Sequence, residues 1–255
     1  MLRRWARQGW QWVVLGLVAL VSALALSALG ELPAHPRSAT PDLRLPAAQV
    51  HPLPPTLKEW GSPDPSDDYF DQVQPTRVGY LVWSQFPVRV AVAAATLERE
   101  TELWQSAVAG AIADWQPYLP ITAVPLNEPD ESGESDTEID ADIIIEQIRP
   151  RLGTGRARSA ETRFSLYINP QGHLAHRCTI YIRPSQTEAY TLASVRHELG
   201  HALGIWGHSP LQTDALYFAQ VRDPAPISVR DINTLKRIYE QPTHLGWSVT
   251  VADES

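Results

Sequence analysis

The stretch RHELGHALGIWGHSP, Arg196 to Pro210, decides how the chain is read. His197 and His201 stand four residues apart, so on a helix their imidazoles project from one face about a turn from each other and can converge on one ion. Two nitrogens do not complete a catalytic zinc site, which takes three protein ligands and keeps a fourth position for water. His208 is the best third ligand; Asp214 and Asp223 are the competing candidates, since zinc also accepts carboxylate oxygen. Glu198 follows the first histidine directly, which puts a carboxylate beside the expected water. Zinc lowers the pKa of such a water from about 15.7 towards about 7, and a neighbouring carboxylate can then take its proton while the metal polarises a carbonyl.

The apolar positions Leu192, Val195, Leu199, Ala202 and Leu203 form one stripe and predict the helix that carries the pair. A capping box Ser185-x-x-Glu188, or a start nearer Thr191, opens it, and Gly204 can end it in the left-handed conformation. Gly204 and Gly207 both tolerate positive φ, which lets Ile205-Trp206-Gly207 bulge on the way to His208. Further out, Phe86 to Ala93, Ile121 to Leu126, Ala141 to Ile148, Arg163 to Ile168 and His176 to Arg183 read as strands, the last two joined by the turn Asn169 to Gly172. A helix is predicted from Leu97 to Trp115, stopped by Pro117 and Pro120, and another after Ser228-x-x-Asp231 with Val229, Ile232, Leu235 and Ile238 inward. This order predicts an α+β fold with a mixed sheet packed on helices.

At the N-terminus, Arg3, Arg4 and Arg7 precede an uncharged run from Trp12 to Gly30, the layout of a signal peptide or of an uncleaved signal-anchor, since a span needs ~20 residues. In either case the basic flank stays in the cytoplasm and the rest of the chain lies outside it. Ten prolines between Glu31 and Pro75, without a sustained period, predict an extended linker, with a pro-segment as the alternative. The formal charge is −8, carried by eight acidic residues between Glu128 and Asp142; the run reads as a solvated loop. It lacks EF-hand spacing, so Ca²⁺ is unsupported. No basic stripe with interleaved aromatics is present, which argues against a nucleic-acid partner. Cys178, the sole cysteine, sits in a strand pattern and reads as a buried thiol. The histidines outside the motif (His35, His51, His173, His176 and His244) are given no ligand role.

The stretch HELGHALGIWGHS resembles the zinc signature of the metzincin metallopeptidases, and of the matrixins in particular, H-E-x-x-H-x-x-G-x-x-H followed by Ser. His197, Glu198, His201 and Gly204 match position for position, whereas the third histidine stands one residue late, at 208. In TDALYF, Thr213 to Phe218, Leu216 occupies the place of the family's methionine above a following Tyr217, and Ile227 to Tyr239 resembles the closing helix. GHLAH, Gly172 to His176, is only superficially like the stretch that carries a structural-zinc histidine, since the companion His-x-Asp is missing. The likeness covers roughly Arg77 to Tyr239, strongest at the motif.

The resemblance implies a metzincin-like fold: a mixed, twisted sheet packed on the active-site helix, with an opening helix and a C-terminal helix. Together with the segments read above, the chain is expected to divide into a signal peptide or signal-anchor (1–30), a proline-rich linker or pro-segment (31–75), a metzincin-like catalytic domain (76–242) and a C-terminal tail (243–255). The resemblance further implies one catalytic Zn²⁺ held by His197, His201 and His208, Glu198 as general base, and a protein or peptide substrate bound along an edge strand, for which Arg163 to Ile168 is the candidate. Expected with it are a monomer, extracytoplasmic and secreted or anchored through residues 12–30. A non-catalytic zinc protein of the envelope and a metallo-amidase acting on a non-protein amide stay open as alternatives, because the same attack by water serves different substrates.

Overall fold

The computed structural model describes residues 43–126, 141–148, 159–219 and 221–251. In chain order these form β1 (Leu43–Arg44), α1 (Pro55–Glu59), a 3-10 turn (Phe70–Gln72), β2 (Val88–Val92), α2 (Thr101–Trp115), β3 (Ile121–Val124), β4 (Ile143–Gln147), β5 (Ala160–Ile168), β6 (Leu174–Ile182), α3 (Glu188–Ala202), α4 (Val229–Tyr239) and β7 (Thr250–Val251). Five strands make one sheet in the order β3-β2-β4-β6-β5. β2 runs parallel to β3 and β4, and β4 parallel to β6, while β5 returns antiparallel along β6 and occupies the edge.

Side-chain alternation explains which residues face the helices. Val88 and Val90 on β2, Ile143 and Ile145 on β4, and Cys178, Ile180 and Ile182 on β6 share one core with Trp104, Ala111 and Trp115 of α2 and Val195, Leu199 and Ala202 of α3. Ala91 and Ile144, of opposite parity, join Ala141 in a separate small cluster on the other face. Ile143 and Ile145 enter the main core and Ile144 the small cluster, so the run Ile143-Ile144-Ile145 is buried on both sides of β4. Each fully buried large side chain contributes about 1.5–3 kcal/mol. The β5–β6 hairpin closes where expected: Gly172 takes φ +78°, and its N–H donates to the Asn169 carbonyl at 2.8 Å.

Several expectations are corrected. α2 begins at Thr101, after a 3-10 turn over Glu98–Glu100, instead of at Leu97. α3 begins at Glu188 with Thr187 as its cap, whose side chain accepts from the Tyr190 N–H at 3.4 Å. Ser185 cannot be that cap because it sits at φ +65° and hydrogen-bonds Glu100 through both its N–H and its hydroxyl. The linker assigned to 31–75 does not describe residues 43–75: Leu57, Tyr69 and Val73 are buried in the main core. The tail assigned to 243–255 is likewise packed through 251, with Thr243 and Leu245 buried, Gln49 bridged to Thr243, and β1 paired with β7. Of the acidic run, Asp142 is not solvated loop; its carboxylate accepts from the Arg89 N–H at 2.8 Å and pairs with the Arg89 guanidinium. The remainder of that run, like the apolar segment 12–30, lies outside the described residues. Among the described residues no helix is long and apolar enough to cross a membrane.

Candidate metal centre

α3 presents His197 and His201 one turn apart, and the chain beyond it brings back His208, so that one ligand atom from each lies within 4.8 Å of the other two. Among the described residues this is the one group of three or more metal-binding side chains that converges in this way. The extra residue before His208 therefore bends the loop without removing the histidine from the site.

The bend has identifiable causes. Gly204 adopts φ +132°, its N–H donates to the His201 carbonyl at 3.0 Å and the Ile205 N–H reaches back to the Gly200 carbonyl at 3.0 Å, the pattern of a Schellman C-cap. The second glycine acts differently from the expectation of positive φ. A Cβ at Gly207 would stand 2.3 Å from the Gln72 carbonyl oxygen, and the Gln74 N–H donates to Trp206 O at 3.1 Å, so Gly207 permits a close crossing of two backbones. The loop carrying His208 is thus laid on the segment 72–74.

The two helical histidines are oriented from behind. His197 Nδ1 lies 2.9 Å from Ala215 O and His201 Nδ1 2.7 Å from Ile205 O. A carbonyl only accepts, so each Nδ1 carries the proton and each Nε2 keeps its lone pair towards the cluster. Burial, more than the neighbouring imidazole charge, pushes His197 down to about 4. Burial does the same to His201, also to about 4. Both are neutral at neutral pH, the form that binds metal.

Leu216 forms the floor. It is fully buried, and a Cβ at Gly200 would stand 2.6 Å from Leu216 Cδ2, which places the leucine against α3 between the two ligands' turns. Its segment is held by Asp231: the Ala215 N–H donates to Oδ2 at 2.9 Å and the Leu216 N–H to Oδ1 at 3.4 Å, while the Tyr69 hydroxyl donates to Oδ1 at 2.5 Å. Asp231 also forms the expected capping box with Ser228, so the reading of it as a cap captured half of its contacts. Of the competing ligands, Asp214 is buried and accepts from the Ser209 hydroxyl and from Arg230 Nε at 3.1 Å, and Asp223 is exposed; neither joins the cluster. Cys178 is buried and burial pushes its thiol up, which leaves it inert.

Glu198 is 7 % exposed, and its Oε2 accepts from the Thr162 hydroxyl at 2.6 Å. Both residues line a cleft of about 940 Å³ that runs past the three histidines, with Tyr190, Trp206, Tyr217 and Phe218 among its walls. The loop from Tyr217 towards Ile227 contributes Ala219, Val221, Pro224 and Ala225 to that wall. Edge strand β5 contributes Ala160 to Thr162 on the facing side, so the histidine cluster lies beside the strand that ends the sheet among the described residues.

Sequence reasoning missed Thr162, Tyr69 and Trp206. Thr162 left a readable signal: among Ala160, Thr162, Phe164, Leu166 and Ile168, which share one face of β5, it is the single polar residue. Tyr69 left none, because its contact with Asp231 spans 162 positions. No protein-family model matches the chain, and no curated protein matches it either. The cluster can hold a metal ion; which ion is a question for the chemistry of its donors.

Proposed function

We propose that the chain is a zinc-dependent endopeptidase of metzincin type, acting outside the cytoplasm as a monomer on protein or peptide substrates. The observation that carries this reading is the convergence of His197, His201 and His208 in an open cleft with the Glu198 carboxylate beside them. Three imidazoles, the two helical ones with Nδ1 tied to a carbonyl, are a donor set that would suit zinc and leave room for water. Zinc held there supplies Lewis-acid polarisation of a carbonyl and acidifies water.

The remaining work falls to the chain's own groups. Glu198 Oε accepts a proton from the attacking water and returns it to the departing amine nitrogen, which is the general acid–base role its place in the cleft allows. β5 offers backbone donors and acceptors along its outer edge, and an extended peptide adds to such an edge as a further strand, which aligns the scissile carbonyl past the histidines. Tyr190, Tyr217 and Phe218 line the cleft as apolar walls for a substrate side chain. Leu216 under the helix, the Gly204 bend and the closing helix α4 support the same family resemblance that the motif carries.

The test uses the full chain. Metal content is measured, and hydrolysis of casein and of a mixed peptide library is compared between wild type and Glu198→Ala. One zinc per chain in both proteins with cleavage confined to wild type is the expected result. Equal cleavage by both, or no zinc in either, would sink the reading.

A further inference from the structure

We infer that Thr162 is a positioning residue for Glu198, tying the carboxylate to the strand that borders the cleft. The inference rests on the peptidase reading. Thr162 stands on β5, paired with Ile180 of β6, and is half-buried at the cleft wall. Its hydroxyl lies 2.6 Å from Glu198 Oε2 and 3.1 Å from the Glu198 carbonyl oxygen. A hydroxyl has one proton and a carboxylate has none to give, so the proton on Thr162 Oγ1 is donated, and the shorter contact is to Oε2. A hydrogen bond to an ionised acceptor is roughly twice as strong as a neutral one, and shorter.

The choice of side chain is informative. Every other position on this face of β5 is apolar, and valine differs from threonine only by a methyl in place of the hydroxyl. The hydroxyl is therefore the part that packing does not need. Glutamate carries three side-chain torsions, which allow its carboxylate several orientations. Fixing Oε2 from the strand selects one of them, and it makes the direction of the carboxylate depend on β5, the element along which the substrate is proposed to lie. Substrate alignment and base alignment then share one rigid reference, which is what preorganised proton transfer requires.

The test is a pair of substitutions in the full chain, Thr162→Val and Thr162→Ser, each made also in a Glu198→Ala background. In the zinc-loaded protein, Thr162→Val is expected to lower kcat by about 10- to 100-fold with KM within about twofold and zinc stoichiometry unchanged, and Thr162→Ser to return kcat to within about threefold of wild type. In the metal-free protein, Thr162→Val is expected to lower Tm when residue 198 is Glu and to leave it nearly unchanged when residue 198 is Ala. A Thr162→Val enzyme as fast as wild type, a serine variant as slow as the valine one, or additive Tm shifts would overturn the inference. If wild type cleaves nothing, the peptidase reading fails by itself, and the metal-free cycle still decides whether Thr162 holds the carboxylate.

Discussion

Replacing Gly207 by alanine probes the crossing on which the third histidine depends. The added Cβ would stand 2.3 Å from Gln72 O, 2.8 Å from Gln72 C and 2.9 Å from Val73 Cα, all backbone atoms. Carbon contacts settle near 3.5–4.0 Å, so one of the two strands of chain must retreat by roughly 1 Å. Overpacking of that kind costs about 1–3 kcal/mol, which for a domain of ~150–250 residues lowers Tm by about 2–12 °C. The displacement is delivered next to His208, so metal affinity is expected to fall by about 10- to 100-fold, as when a ligand loses its orienting partner. Gly61→Ala is the control, since a Cβ there meets nothing within 4 Å, and its expected effect is neutral to slightly stabilising, by up to about 1 kcal/mol. Thermal unfolding of the metal-free proteins and zinc competition against a chromophoric chelator measure both quantities. If Gly207→Ala matched Gly61→Ala in Tm and in affinity, the idea that segment 72–74 seats the ligand loop would be refuted.

The other predictions concern the floor, its clamp and the acid response. Leu216→Met is expected to cost less than about 1.5 kcal/mol and to keep zinc, whereas Leu216→Ala opens a cavity under α3 worth about 2–5 kcal/mol; urea unfolding separates the two. Tyr69→Phe removes the donor to a buried carboxylate and is expected to cost about 1–3 kcal/mol and to weaken zinc binding, although residue 69 lies far from the cluster in sequence; unchanged affinity would disprove the link. His176 is buried against Trp83, its Nε2 has no hydrogen-bond partner among the described residues, and burial pushes it down to about 3. The unfolded chain therefore binds the extra proton: this contribution to stability is intact above pH ~6.5 and is lost as pH falls from there towards ~3, amounting to roughly 2 kcal/mol at pH 5. His176→Phe is expected to remove that part of the loss between pH 7 and pH 5, and parallel pH curves for the two proteins would show the assignment to be mistaken.

What could be read in the sequence follows a physical division between local and distant causes. The helix with His197 and His201, its glycine-ended C-cap, the capping box at Ser228 and the hairpin at Asn169 to Gly172 are decided within a few residues, and all stand in the structure. The place of β5 at the sheet edge, anticipated for Arg163 to Ile168, also holds, with the strand extended to Ala160. The misplaced elements are those whose decisive contacts are remote. Residues 43–75 carry too many prolines for a period of either 2 or 3.6, yet isolated apolar residues such as Leu57, Tyr69 and Val73 each enter a core built by other elements. A segment of that type gives little periodic signal, because its regular pieces, β1, α1 and the 3-10 turn, are too short to show a repeat. Ser185 made a plausible cap by spacing, but its bonds to Glu100, 85 positions away, fix it in another conformation.

The contacts around the cluster also tie it to residues before Arg77. The orientation of His197 depends on the Ala215 carbonyl; the Ala215 and Leu216 N–H groups depend on Asp231; and Asp231 is held by the hydroxyl of Tyr69. A second line reaches the same segment by a different route: His208 follows Gly207, Gly207 crosses the backbone of Gln72, and the Trp206 carbonyl accepts from the Gln74 N–H. Arg230 adds a third, bridging Asp214 to Asp67 and to the Asp68 carbonyl. Three tethers between 67–74 and the loops around the histidine cluster mean that this segment helps to orient the cluster without supplying one of its three side chains. Outer partners of this kind set how well three imidazoles are preorganised, so a change in this segment is expected to be felt at the cluster.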